Sequence, residues 1–156
     1  MLEIFSHVRA KVRLTLRRRN GEVETDEVSN IVTSAGLDQI HAFAYGTAVR
    51  ANGLNYIALS NNAAAPAPSD VVLAGEFTGL GLDRHIGSVT HVAGTSVTTV
   101  EYTFVYGGAS QGIQKAALFD VAGPPPAGVM AHEVQFTTRT LFLGDTLTVQ
   151  YSITLS

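Results

Sequence analysis

Leu147, Val149, Tyr151, Ile153 and Leu155 alternate with Thr148, Gln150, Ser152 and Thr154 without a break. A period of two places the two sets on opposite faces of an extended chain, so this segment buries one face and wets the other only as a strand. The opposite end reads the same way. Val8, Ala10, Val12, Leu14 and Leu16 alternate with Arg9, Lys11, Arg13, Thr15 and Arg17. Asn20-Gly21 follows, the pair that most readily takes the two positive-φ positions of a tight hairpin turn. The chain then returns through 22–28, which carries Glu22, Glu24, Asp26 and Glu27.

Six of the ten Lys and Arg residues (Arg9, Lys11, Arg13, Arg17, Arg18 and Arg19) lie in this first strand and its turn. Two readings compete for them. They form a basic surface for a partner, or they pair across the hairpin with the acidic return strand, each opposed pair contributing ~0.2–1 kcal/mol. The acidic strand also cancels much of the field that a phosphate backbone would feel. Residues 1–29 are expected as a β-hairpin arm ahead of a sandwich domain over 30–156. An isolated two-stranded ribbon is marginal in water, so the arm must lie on its own sandwich or on a neighbour.

The helical signal lies at 34–45, with Thr33 as N-cap, Leu37, Ile40, His41 and Ala44 at helical spacing, and Gly46 as C-terminal cap. The rest is β in character. Short apolar strands are expected at 54–60, 86–93, 97–106, 113–120 and 129–137. Val100, Tyr102, Phe104 and Tyr106 should share one face, as should Met130, His132, Val134 and Phe136. Pro124, Pro125 and Pro126 lack backbone donors and mark a rigid turn. About eight strands, one helix and no βαβ alternation make an all-β fold, an antiparallel sandwich or jelly roll.

Composition narrows the function classes. At 156 residues the chain is long enough for one core. With 46% hydrophobic against 15% charged residues it is too apolar to stay disordered. No run approaches the ~18 apolar residues of a membrane span, and the N-terminus lacks the pattern of a signal peptide. Cysteine is absent, which excludes disulfides, thiolate metal sites and a cysteine nucleophile. A net charge of −3 argues against a dedicated nucleic-acid binder.

His7, His41, His85, His91 and His132 show no zinc-ligand spacing, and His41 and His132 read as packed residues. GxSxG and phosphate-loop patterns are missing, and Gly79-Leu80-Gly81-Leu82 lacks the third glycine of a dinucleotide fingerprint. Carboxylates outside the hairpin are scattered singly, although distant strands can bring such groups together. No catalytic residue, metal or cofactor is expected.

The order of motifs over 30–156 resembles a group of small β-rich virion proteins of tailed bacteriophages. The motifs are Asn30-Ile31-Val32-Thr33-Ser34-Ala35-Gly36-Leu37, Leu54-Asn55-Tyr56-Ile57-Ala58-Leu59-Ser60, Glu76 with Leu82-Asp83-Arg84, Gln114 to Asp120, Gly128 to Phe136 and Leu143 to Leu155. The basic-acidic hairpin is not part of that pattern. The resemblance implies a structural role in the virion and no catalytic residues. A compact sandwich without a stalk is too short for a whole fibre, so the expected function is capsid decoration: a cement protein bridging capsomers, acting as a homotrimer. A tail, baseplate or fibre-tip component, with host-receptor or glycan binding, is the alternative. The expected partners are copies of itself and the major capsid protein or neighbouring tail proteins, with no direct nucleic acid and no membrane. The expected location is the virion, after synthesis in the host cytoplasm.

Overall fold

The computed structural model describes residues 8–44, 53–123 and 127–155. The expected cap at Gly46, the turn at Pro124, Pro125 and Pro126, His7 and the side chain of His41 lie outside what is described. Among the described residues ten strands and one helix follow in order: β1 (Val8–Arg17), β2 (Val23–Ser29), β3 (Ile31–Val32), α1 (Ser34–Ala44), β4 (Tyr56–Ser60), β5 (His85–Ile86), β6 (Ser88–His91), β7 (Val97–Val105), β8 (Ser110–Phe119), β9 (Met130–Phe142) and β10 (Thr146–Leu155). They form two five-stranded antiparallel sheets, ordered β2-β1-β10-β7-β6 and β3-β9-β8-β4-β5. The protein is an all-β sandwich.

The core lies between the sheets. Val12, Leu14, Leu16, Val100, Phe104, Leu147, Val149 and Tyr151 from the first sheet meet Ile57, Leu59, Ile113, Leu118, Val134, Phe136 and Leu141 from the second. Burying each large side chain contributes ~1.5–3 kcal/mol relative to leaving it exposed, so the alternating segments at the two chain ends are drawn into one sheet.

The hairpin does not project as an arm. Of the two placements open to it, it lies on its own sandwich. β1 pairs with β10 along its whole length, from Val8↔Leu155 to Arg17↔Thr146, and with β2 on its other side. Its inward row fills the core, so the division expected at residue 30 separates no arm from a body. An apolar row this long is too costly to leave in water.

The chain changes sheet four times, twice through a single residue. Asn30 joins β2 to β3, and Gly87 joins β5 to β6. Gly87 therefore divides the single strand expected at 86–93 between two sheets. A side chain at Gly87 would meet Val100 Cγ1 at 2.7 Å, and its N–H donates to the Asn55 carbonyl at 2.7 Å.

The second sheet is buried on its outer face as well. Ala58, Ala117, Phe119 and Met130 pack there beneath Leu73 of the long 61–84 connection. Helix α1 closes on β9 where Gly36 meets the Ala131 backbone, and Thr33 caps the helix by accepting the Gly36 N–H at 3.0 Å. Met130 was expected in phase with His132. Pairing shifts between Leu118↔His132 and Phe119↔Met130, leaving Ala131 as an extra residue, and this bulge turns Met130 to the outer face.

Candidate functional site

The six basic residues of the first hairpin part ways in the fold. Lys11 and Arg13 share Glu27, at 2.9 and 3.4 Å, on the open face of the first sheet. The hydrogen bond from Lys11 holds the Glu27 carboxyl below its usual range. Arg18 is half-buried, donating to Glu24 at 2.7 Å, to Asp145 at 3.0 Å and to the Thr140 carbonyl. Burial acts to raise the Asp145 carboxyl, but the N–H groups of Phe142 and Arg19 and the Arg18 guanidinium outweigh it and hold it low. Arg18 is therefore a structural tie between two turns. Among the described residues Arg9, Arg17 and Arg19 have no ion-pair partner.

The acidic return strand is used across the sandwich as well as across the hairpin. Glu24 and Asp26 sit opposite Leu16 and Leu14 on the inward side of edge strand β2, and Arg139 of β9 reaches both at 3.1 Å. Inward-pointing charges also deter strand addition at this edge. The opposite edge has no such guard: β6, Ser-Val-Thr-His, is exposed throughout and carries no Lys, Asp or Glu.

Arg17, Arg18 and Arg19 stand at one end of the sandwich, where several turns converge. Gly79, Leu80 and Gly81 all have positive φ, of 93°, 55° and 80°. Leu80 is the one non-glycine residue so placed among those described. A side chain at Gly81 would meet the Val105 carbonyl, and the Gly107 N–H donates to the Leu80 carbonyl at 2.9 Å. Leu82 is anchored in the core while Leu80 points out. Holding a leucine in this conformation costs on the order of 1–3 kcal/mol.

Around it Val105, Phe142 and Leu143 are, like Leu80, each more than half exposed. The Gly144 N–H bonds the Tyr106 carbonyl at 2.9 Å, which joins the two loops into one surface. A cleft of about 610 Å³ beside it is lined by Arg18, Arg19, Asn20, Glu22, Phe142 and Leu143, among others. The sequence pattern pointed to the arginines at this end and missed Leu80.

The open face of the first sheet carries Arg9, Lys11, Arg13 and Arg17 against Glu27 and Glu101, set among threonines. One row across four strands reads Thr25, Thr15, Thr148, Thr103, and the next reads Glu27, Arg13, Gln150, Glu101. Thr103 and Thr148 share a hydrogen bond of 2.7 Å, and Gln150 donates to Glu101 at 2.8 Å.

The carboxylates that look scattered in the sequence converge on the outer face of the second sheet. Arg84 bonds Glu76 through two nitrogens, at 2.6 and 2.8 Å, lies 3.6 Å from the Phe119 ring centroid and donates to the carbonyls of Val121 and Ala127. Lys115 meets Glu133 at 2.7 Å. Asp120 accepts from Gln39 and from the Val129 N–H.

Between the sheets His132 is buried beside Tyr151, with Nδ1 2.9 Å from the Asn30 amide. Burial lowers its pKa to about 4. Among the described residues no three His, Cys, Asp or Glu side chains are placed to hold a metal, and no helix is long and apolar enough to cross a membrane. No family model, curated protein or solved structure matches the chain.

Proposed function

We propose that this protein is a structural subunit of a bacteriophage virion, a capsid-decoration protein that bridges capsomers as a trimer and catalyses no reaction. One observation carries the docking role: Leu80, Val105, Phe142 and Leu143 are exposed at the end of the sandwich that bears the unpaired Arg17 and Arg19, with Leu80 itself on a strained turn. The close approach of Gly81 to Val105 sets this turn but leaves the Leu80 side chain in water, and an assembly gains when that surface is covered. The unguarded edge β6 offers pairing to a neighbouring subunit, and three linked copies at a local three-fold would multiply weak shell contacts through effective concentration. The motif order over 30–156 supports the virion setting.

Binding of the purified protein to particles stripped of it tests the surface. Leu80→Asp combined with Leu143→Asp is expected to weaken binding by tenfold or more, about 1.4 kcal/mol. Leu80→Gly relieves the backbone and removes the contact, so it should weaken binding without lowering stability. Undiminished binding by both variants would contradict the docking surface.

A further inference from the structure

Lys115 and Glu133 are enclosed on the outer face of the second sheet, their side chains 3% and 1% exposed. In a regular strand Lys115 would share the face of Ile113, which lies in the core; an irregularity between the two residues turns it outward. There Lys115 neighbours Ala117 along β8, and Glu133 lies directly across from Ala117 on β9. Ala58 and Ala117 share this face with them, and Ser60 lies directly across from Lys115 on β4. Lys115 Nζ stands 2.7 Å from Glu133 Oε1, while Glu133 Oε2 is buried and accepts from no donor. The Asp70 carboxyl lies against the Glu133 side chain and acts with burial to raise its pKa. Asp70 is itself fixed in a turn by the Ala67 N–H at 2.8 Å.

We propose that Lys115 and Glu133 condense to an intramolecular isopeptide bond, with Asp70 as the proton shuttle. One proton passes along the existing hydrogen bond, converting the ammonium and carboxylate to amine and carboxylic acid. The Nζ lone pair attacks Glu133 Cδ, and the Nζ–Cδ bond forms. Asp70 takes a proton from the nitrogen and returns it to the hydroxyl, the Cδ–O bond breaks, and water leaves. Ammonium plus carboxylate becomes amide plus water, with no oxidant, reductant or other reactant.

Two physical terms favour the step. The Lys115 nitrogen already touches the carboxyl group, 2.7 Å from its Oε1, which replaces an encounter between separate molecules. An ion pair this deeply buried is poorly solvated, and a neutral amide removes both charges from that layer. Burial, with Asp70 adding to it, pushes the Glu133 carboxyl up against the pull of Lys115, which favours the neutral acid that the attack requires.

Mass spectrometry of the denatured full-length protein, with tryptic mapping, tests the proposal. The expected protein is one water lighter than its sequence, resists cleavage after Lys115, and yields a branched peptide joining Lys115 to Glu133. Asp70→Asn keeps the Lys115–Glu133 pair and should appear at its full sequence mass. Lys115→Met should do the same. Recovery of wild-type protein at full mass, with Lys115 and Glu133 in separate peptides, would overturn the bond. Water lost at any other position would overturn it too, and an Asp70→Asn protein that still condenses would overturn the role of Asp70.

Discussion

Glu76 and Arg84 show how a single pair organises its surroundings. Their side chains are only 3% and 2% exposed, and the guanidinium also lies over Phe119 and holds two loop carbonyls. Removing one partner leaves a buried charge without compensation, which costs about 3–5 kcal/mol. Arg84→Ala and Glu76→Gln are each expected to lower the unfolding free energy from urea titration by that order, and a change below about 1 kcal/mol would show that the loop relaxes to solvate the survivor.

His132 makes a pH prediction at the same scale. Its folded pKa lies near 4, below the ordinary 6.5, because burial disfavours the cation. Below about pH 6.5 the unfolded chain takes up a proton that the folded chain refuses. Stability should therefore fall as pH drops from about 6.5 towards about 4, by ~3 kcal/mol in total, and change little through this group above pH 7. Chemical denaturation of the wild type against His132→Leu at several pH values isolates this contribution. An unchanged pH slope in the variant would assign it elsewhere.

The first hairpin carries the main lesson at the level of elements. Its strands, its turn and the alternation of β1 and β10 were legible because one face of the first sheet meets water. The placement of the hairpin was not, since a period of two says which face is buried and not against what. Deleting residues 1–29 is expected to abolish cooperative unfolding, because it strips β10 of its neighbour over ten residues and opens the core at Val12, Leu14 and Leu16. A truncated chain that unfolds cooperatively near the wild-type midpoint would restore the arm.

In β8 and β9 both faces are covered, which removes the alternation, and irregularities next to Lys115 and at Ala131 reset the phase. The pairing of Lys115 with Glu133, far apart in sequence, was hidden for that reason. Leu80 was hidden differently: its left-handed backbone is imposed by the close approach of Gly81 to Val105, a tertiary contact without a local signature.

Across the whole molecule, charge is spent on ties inside the sandwich. Arg139 and Arg18 bind the acidic return strand to the opposite sheet and to the neighbouring turn, and Arg84 and Lys115 hold the layer over the second sheet. What faces outward is a threonine-rich sheet with a small basic excess, an uncharged edge and an apolar end with two unpaired arginines. Surfaces of this kind suit a body covered by neighbours better than one alone in water.

Cryo-electron microscopy of the assembled particle tests that reading most directly. It should find the sandwich on the shell in register with the capsid lattice, with Leu80 and Leu143 buried against a neighbour. Copies confined to the tail would move the protein to the other structural role. Particles that lack it, or a bound sandwich whose Leu80 end faces solvent, would contradict the account.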